Sequence, residues 1–166
     1  MAAKKPLTAI GVIGGGDANP KLQQAAAEVG AHIARNGVVL VCGGLGGIME
    51  AAAKGAWENG GVVVGLLPGE DKDAANPYCT VVIPTGFGIG RNILVVRSSD
   101  VIIAFPGAFG TLSEIALSLN LKKTVVCMPG SWDLKKIGRV DSAYFKEAFD
   151  PGQAVGFALN SLGKSQ

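Results

Sequence analysis

Six short apolar runs recur along this chain of 166 residues, at 7–13, 38–42, 62–67, 78–83, 101–105 and 124–128. None shows the polar alternation of a half-exposed strand. A strand that is apolar at every position needs cover on both faces, and helices supply it when the strands run parallel. Helix-length segments lie between the runs and carry their own punctuation. Asn19-Pro20 opens the first helix, since Asn caps well and Pro suits the first helical position. Asn36-Gly37 supplies a left-handed stop for it. Ile48 to Glu58 reads as an Ala-rich helix and Arg91 to Ser98 as a shorter one. Gly110-Thr111 opens a fourth, and a last helix lies between Gly152 and Leu162. The alternation predicts an α/β fold: a doubly wound parallel sheet in a single domain covering 1–166. Crossovers in such sheets are right-handed, so the loops that follow the strands emerge at one edge.

The chain has 25 glycines, roughly twice the usual ~7% share, and most fall between the apolar runs. Gly14, Gly15 and Gly16 follow the first run, and Gly43, Gly44, Gly46 and Gly47 the second. Gly86, Gly88 and Gly90 follow the fourth, and Gly107 and Gly110 the fifth. A chain that passes from strand through glycine into helix leaves backbone N–H groups without partners at the positive end of the helix dipole. That is a ready anion site. Four such turns at the ligand-binding edge of a parallel sheet point to a phosphorylated ligand. The dinucleotide pattern G-x-G-x-x-G is not met: Asn19 stands in the last position after the first strand and Met49 after the second. The second strand also lacks an acid to hold a ribose hydroxyl, and the Walker A pattern is not matched. A mononucleotide or similar phosphate ester remains.

Two charged residues fall where chemistry would need them. Arg91 begins the helix after the fourth strand, and Glu114 lies in the first turn after the fifth. If those strands are neighbours, both side chains reach one crevice. Arginine offers a fixed fork of donors for phosphate, and a carboxylate can act as general base or hold a ribose hydroxyl. A bland reading competes, because Thr111-Leu112-Ser113-Glu114 spells a capping box in which the Glu bonds the cap amide. Arg97 is read as lying away from the site and Glu50 as a weaker, solvent-exposed candidate. His32, alone of its kind, is a helix-surface or packed residue.

Cys42, Cys79 and Cys127 lie in or beside apolar runs without a Cys-x-x-Cys pair, so buried reduced thiols are expected and a zinc site is not. The net charge of +2 is too small to favour nucleic acid, although the part from Leu121 onward carries seven basic residues against four acidic. No signal peptide or membrane span is visible, and Ala2 to Lys5 reads as a polar lead-in. A cytoplasmic protein is the default expectation.

Together these motifs resemble a known family. Pro106-Gly107-Ala108-Phe109-Gly110-Thr111-Leu112-Ser113-Glu114 is similar to the P-G-G-x-G-T-x-x-E motif of the LOG-like (LONELY GUY) Rossmann-fold proteins. Gly43-Gly44-Leu45-Gly46-Gly47-Ile48-Met49 resembles their G-G-x-x-G-x-M turn, and Arg91 falls where they carry an Arg. The resemblance runs from about Ile10 to Met128 and implies a Rossmann-like nucleotide-binding domain. It implies a phosphoribohydrolase that splits a nucleoside 5′-monophosphate, with Arg91 and Glu114 as catalytic pair. Gly107, Gly110 and Thr111 would hold the 5′-phosphate, and the chain would be a homodimer. Two departures stand out: Ala108 replaces the second motif glycine, and Asn92 replaces the Lys that usually follows the Arg. A shorter subgroup with an Arg-Asn pair, the molybdenum-cofactor carrier-like proteins, is more similar overall. It implies a bound molybdenum cofactor or nucleoside monophosphate as ligand, a small-molecule phosphate ester rather than nucleic acid or membrane. No cofactor is expected to be required for chemistry.

Overall fold

The structure, a computed structural model, describes residues 7–134, 138 and 140–163. The lead-in at 2–5 lies outside them. Seven strands form one sheet: β1 (Ala9–Ile13), β2 (Val39–Cys42), β3 (Val63–Leu67), β4 (Val81–Pro84), β5 (Val101–Ala104), β6 (Val125–Cys127) and β7 (Phe145–Glu147). Their order is β4-β3-β2-β1-β5-β6-β7, and every neighbouring pair is parallel. Five α-helices cover it: α1 (Pro20–Arg35), α2 (Ile48–Glu58), α3 (Asn92–Arg97), α4 (Phe109–Asn120) and α5 (Pro151–Leu162). The doubly wound parallel sheet is therefore present in a single α/β unit.

Two cores show how the layers are divided. Alternate strand residues such as Ile10, Val12, Leu40 and Ile103 pack with Val29 and Ile33 of α1, Ala52 of α2 and Val155 of α5. The other face gathers Ile13, Val41, Ile102 and Val125 with Val95 of α3 and Ile115 of α4. Burial is complete along β1 and β5, which explains why their sequences show no alternation.

The helix ends follow their local chemistry. Asn19 Oδ1 accepts the Leu22 amide at 2.9 Å, with Pro20 at the first helical position. Asp150 accepts the Gln153 amide at 2.8 Å at the start of α5.

Three expectations need correction. β4 begins at Val81, not Tyr78, because Asn76 organises a turn there: its Oδ1 accepts the Tyr78 amide at 3.2 Å. The seventh strand was not anticipated, since only Phe145 of Phe145–Glu147 faces the core. And β4 is not the neighbour of β5. Three strands separate them.

Candidate functional site

The helices that follow β1 and β5 lie on opposite faces of the sheet, so strand order reverses between these two neighbours. A crevice opens at such a point, beyond the carboxyl ends. Here it is a cleft of about 190 Å³, lined by Val12, Ile13, Gly14, Gly15, Gly16, Gly43, Met49, Arg91, Asn92, Ala108, Gly110, Thr111 and Glu114.

Arg91 and Glu114 do share this cleft, though not by strand adjacency. After β4 the chain turns at Gly86 and Gly88, both with positive φ, and enters a 3₁₀ turn over Gly88–Arg91. It then crosses toward β5 as α3, which packs beside α4. Arg91, the last residue of the 3₁₀ turn, thereby comes to lie between Gly43, just after β2, and Glu114 of α4.

Glu114 is reached by a different correction. Helix α4 starts at Phe109, with Ala108 as N-cap in extended backbone (φ −87°, ψ −159°) and no side-chain cap. Thr111 is thus already helical, and Glu114 sits in the second turn. The capping box does not form. Instead Glu114 Oε1 lies 3.9 Å from Arg91 Nη1, both side chains about 90% buried. Burial pushes the Glu114 carboxyl up to about 7, while Arg91 pulls in the opposite direction. The guanidinium is lowered by its own burial, against the opposing pull of Glu114. Arg91 Nε is buried and has no hydrogen-bond partner. A buried donor left in this way is costly unless something accepts from it.

The glycine turns divide into those that face the cleft and those that build it. Gly14, Gly15, Gly43 and Gly110 line it with Thr111. Gly44, Gly46, Gly47 and Gly107 are not in its wall. Gly15 holds two loops together: its amide donates to Pro106 O at 2.9 Å, and its carbonyl accepts from Ile48 N at 3.0 Å. Gly47 has φ +65°, and a Cβ there would strike the Gly15 and Gly16 carbonyls. A Cβ at Gly107 would meet the Thr111 side chain. Gly107 O accepts from Trp132 Nε1 at 3.0 Å, and the Trp132 ring packs 5.9 Å from Phe109. Trp132 carried no specific signal in sequence. Met49, the last residue of the G-G-x-x-G-x-M turn, lines the cleft, and its Sδ borders Gly43 beside Arg91.

The anion-binding feature itself is the start of α4. Leu112 is the first amide to bond within the helix, to Ala108 O at 3.1 Å. The amides of Phe109, Gly110 and Thr111 have no intrahelical partner, as at any helix start, and no side chain caps them. The departures from the family pattern are accommodated. Ala108 has a negative φ, so its methyl is unstrained. Asn92 Nδ2 donates to Ser113 Oγ at 3.0 Å and Gly110 O at 3.4 Å, tying α3 to α4. Of the weaker candidates, Glu50 lines a separate groove with Gln23, Gln24 and Lys54, outside the cleft. The Arg97 carbonyl accepts from Lys123 Nζ at 3.3 Å, away from it. Among the described residues no group of three or more His, Cys, Asp or Glu could hold a metal ion, and no helix is long and apolar enough to cross a membrane.

A switch-point cleft with uncapped helix amides and a buried arginine, in this topology, defines a Rossmann-like ligand-binding protein of the LOG-like kind. The chain belongs to the SLOG cluster4 family, whose model matches residues 7–155. An uncharacterized protein of Archaeoglobus fulgidus is 46% identical over 122 residues, 74% of this chain and 80% of its own. A probable cytokinin riboside 5′-monophosphate phosphoribohydrolase of rice, LOGL5, is 32% identical over 96 residues. That match covers 56% of this chain and only 39% of the rice protein. Among solved structures, the molybdenum cofactor binding protein of Rippkaea orientalis superposes with a TM-score of 0.88 at 32% identity, over 96% of this chain and 99% of that one. The Moco carrier protein of Chlamydomonas reinhardtii gives 0.87 at 34% identity, with the same coverage.

Proposed function

We propose that this protein binds a phosphorylated pterin or nucleotide-type ligand and acts as a carrier of the molybdenum cofactor. The observation that carries this reading is the convergence of the uncapped start of α4 and the Arg91 side chain on one cleft. The phosphate sits on the amides of Phe109, Gly110 and Thr111, where the helix dipole favours negative charge. Arg91 supplies a charge-assisted bond from the other wall. At about 190 Å³ the cleft holds the phosphate and the adjoining ring, against roughly 300–1,000 Å³ for a site that encloses a whole drug-sized ligand. The remainder of the ligand therefore lies outside the cleft, where Phe109, between the lining residues Ala108 and Gly110, offers exposed apolar surface. Support also comes from the two carrier or cofactor-binding structures, which match nearly end to end.

A second reading rests on Glu114. A carboxyl held at about 7 beside a guanidinium is matched to acid–base work near neutral pH, and the rice relative is named as a phosphoribohydrolase. Under that reading water replaces the base at the glycosidic carbon of a nucleoside 5′-monophosphate, releasing ribose 5-phosphate. Incubation of the pure protein with AMP, followed by chromatography for free adenine, separates the two. A carrier binds without turnover. Steady release of adenine that is lost in Glu114→Ala overturns the carrier reading.

A homodimer belongs to the same proposal. Val81 and Ile83 on the outermost strand, with Phe87 and Ile89 just beyond it, are large apolar residues left exposed in a single chain.

A further inference from the structure

We propose that Cys42 and Cys79 form a peroxide-responsive thiol pair whose conversion to a disulfide reshapes the glycine turn bordering the cleft. Cys42 ends β2, and its register partner across the ladder is Gly65 of β3. The Cys79 sulfur lies over Gly65, 2.6 Å from where a Cβ there would stand. The missing side chain at 65 is what lets Cys79 sit beside Cys42. The Cys79 thiol donates to Asn76 Oδ1 at 3.5 Å, and the two thiols are near enough for each to shift the other's ionisation.

The two sulfurs are unequal in the way a sensing pair requires. Cys79 is half-buried and held below the ordinary thiol value, chiefly by the hydrogen bond from Cys42. Cys42 is buried and raised, because it gives up that hydrogen bond when it ionises. The thiolate is the nucleophile, and Cys79 is the sulfur that a peroxide can reach from solvent, so Cys79 reacts first. Its sulfur attacks a peroxide oxygen, the O–O bond breaks, and the departing oxygen leaves protonated as alcohol or water. Cys79 is then a sulfenic acid. The Cys42 sulfur attacks it, the S–O bond breaks, and the hydroxyl leaves as water with the Cys42 proton. Two thiols have lost two electrons and two protons to one peroxide.

The consequence for the cleft follows from how the turn is fastened. A disulfide is about 2.05 Å long, shorter than any hydrogen-bonded sulfur pair, so the two residues must close up. Cys42 is fixed in the middle of the sheet, which leaves the 76–79 turn to move. That turn grips the glycine loop through Asn76, whose amide donates to Gly44 O at 2.8 Å and whose Nδ2 donates to Leu45 O at 3.0 Å. Gly43, the next residue after Cys42, lies against the Arg91 guanidinium. Oxidation therefore pulls on the wall that carries Gly43 and Arg91.

The effect on affinity rests on the phosphate reading above; the sulfur chemistry does not. Treating the reduced protein with equimolar hydrogen peroxide should remove two hydrogens from the intact mass. Peptide mapping should join Cys42 to Cys79, with Cys127 still alkylatable. Amide hydrogen exchange at 43–47 should change, and binding of AMP should weaken by about tenfold, within the usual range of coupling between sites. Cys79→Ser should abolish all of these responses. Sulfinate without a disulfide, or a disulfide that leaves exchange at 43–47 unaltered, overturns the proposal. If the reduced protein does not bind AMP, the nucleotide form of the ligand reading falls, and the mapped disulfide with hydrogen exchange at 43–47 decides the switch.

Discussion

Glu114 and Arg91 are a buried pair held 3.9 Å apart, and what they do depends on protonation. The Glu114 carboxyl binds its proton more tightly in the folded protein, at about 7, than in the unfolded chain near 4.5. Its contribution to stability is therefore fully present below pH 4.5 and is lost as pH rises through 7. Glu114→Gln keeps a neutral group at every pH. The stability of the native protein relative to this variant should fall by something on the order of 3 kcal/mol between pH 4.5 and 8, followed by urea midpoints. A difference that stays flat with pH means Glu114 ionises freely. Arg91→Ala should weaken binding of a phosphorylated ligand by roughly ten- to a hundredfold, the worth of one charged hydrogen bond, in calorimetric titration. Arg91→Lys should recover only part of it, since lysine restores charge without the fork. Both residue types were legible in the sequence as a pair. Their environment was not, because burial of Glu114 depends on α4 beginning at Phe109, two residues before the Thr111 that mimics a cap.

At the level of elements, the start of α4 is the feature on which the site depends, and two substitutions separate conformation from contact. Ala108 has a negative φ, so Ala108→Gly should change ligand affinity by less than about threefold, since it relieves no strain. Gly47→Ala is the contrast. It forces a side chain into φ +65° and against the Gly15 and Gly16 carbonyls, and should cost about 3 kcal/mol in chemical denaturation. The glycine turns were readable as an ensemble because each ends an apolar run. Which of them touch ligand was not. Gly107 and Gly47 serve packing between loops, and that role appears only when β1, β2 and β5 lie side by side. The segment after β4 is the same lesson in a longer element: the sequence put Arg91 and Glu114 in one crevice by supposing β4 and β5 adjacent, whereas three strands separate them and the turn over Gly88–Arg91 makes the approach instead.

For the whole molecule, the parallel sheet was visible in apolar runs because burial on both faces leaves no polar positions along β1, β2, β3, β5 and β6; the edge strand β4 is as apolar although Val81 and Ile83 stay exposed. β7 escaped notice for the opposite reason, as an outermost strand with Lys146 and Glu147 exposed. The homodimer proposed above predicts that Ile83→Asp with Ile89→Asp yields a monomer by light scattering, while the unaltered chain runs as a dimer. An unaltered chain that is already monomeric contradicts it. The central claim is that a phosphate group sits on the amides that open α4, opposite Arg91. Backbone amide shifts of the ¹⁵N-labelled protein, titrated with AMP and with a phosphorylated pterin, test it most directly. The account predicts saturable shifts largest at Phe109, Gly110 and Thr111 for at least one of the two, reduced in Arg91→Ala. Saturable binding that leaves those three amides unmoved, or no binding of either compound, contradicts it.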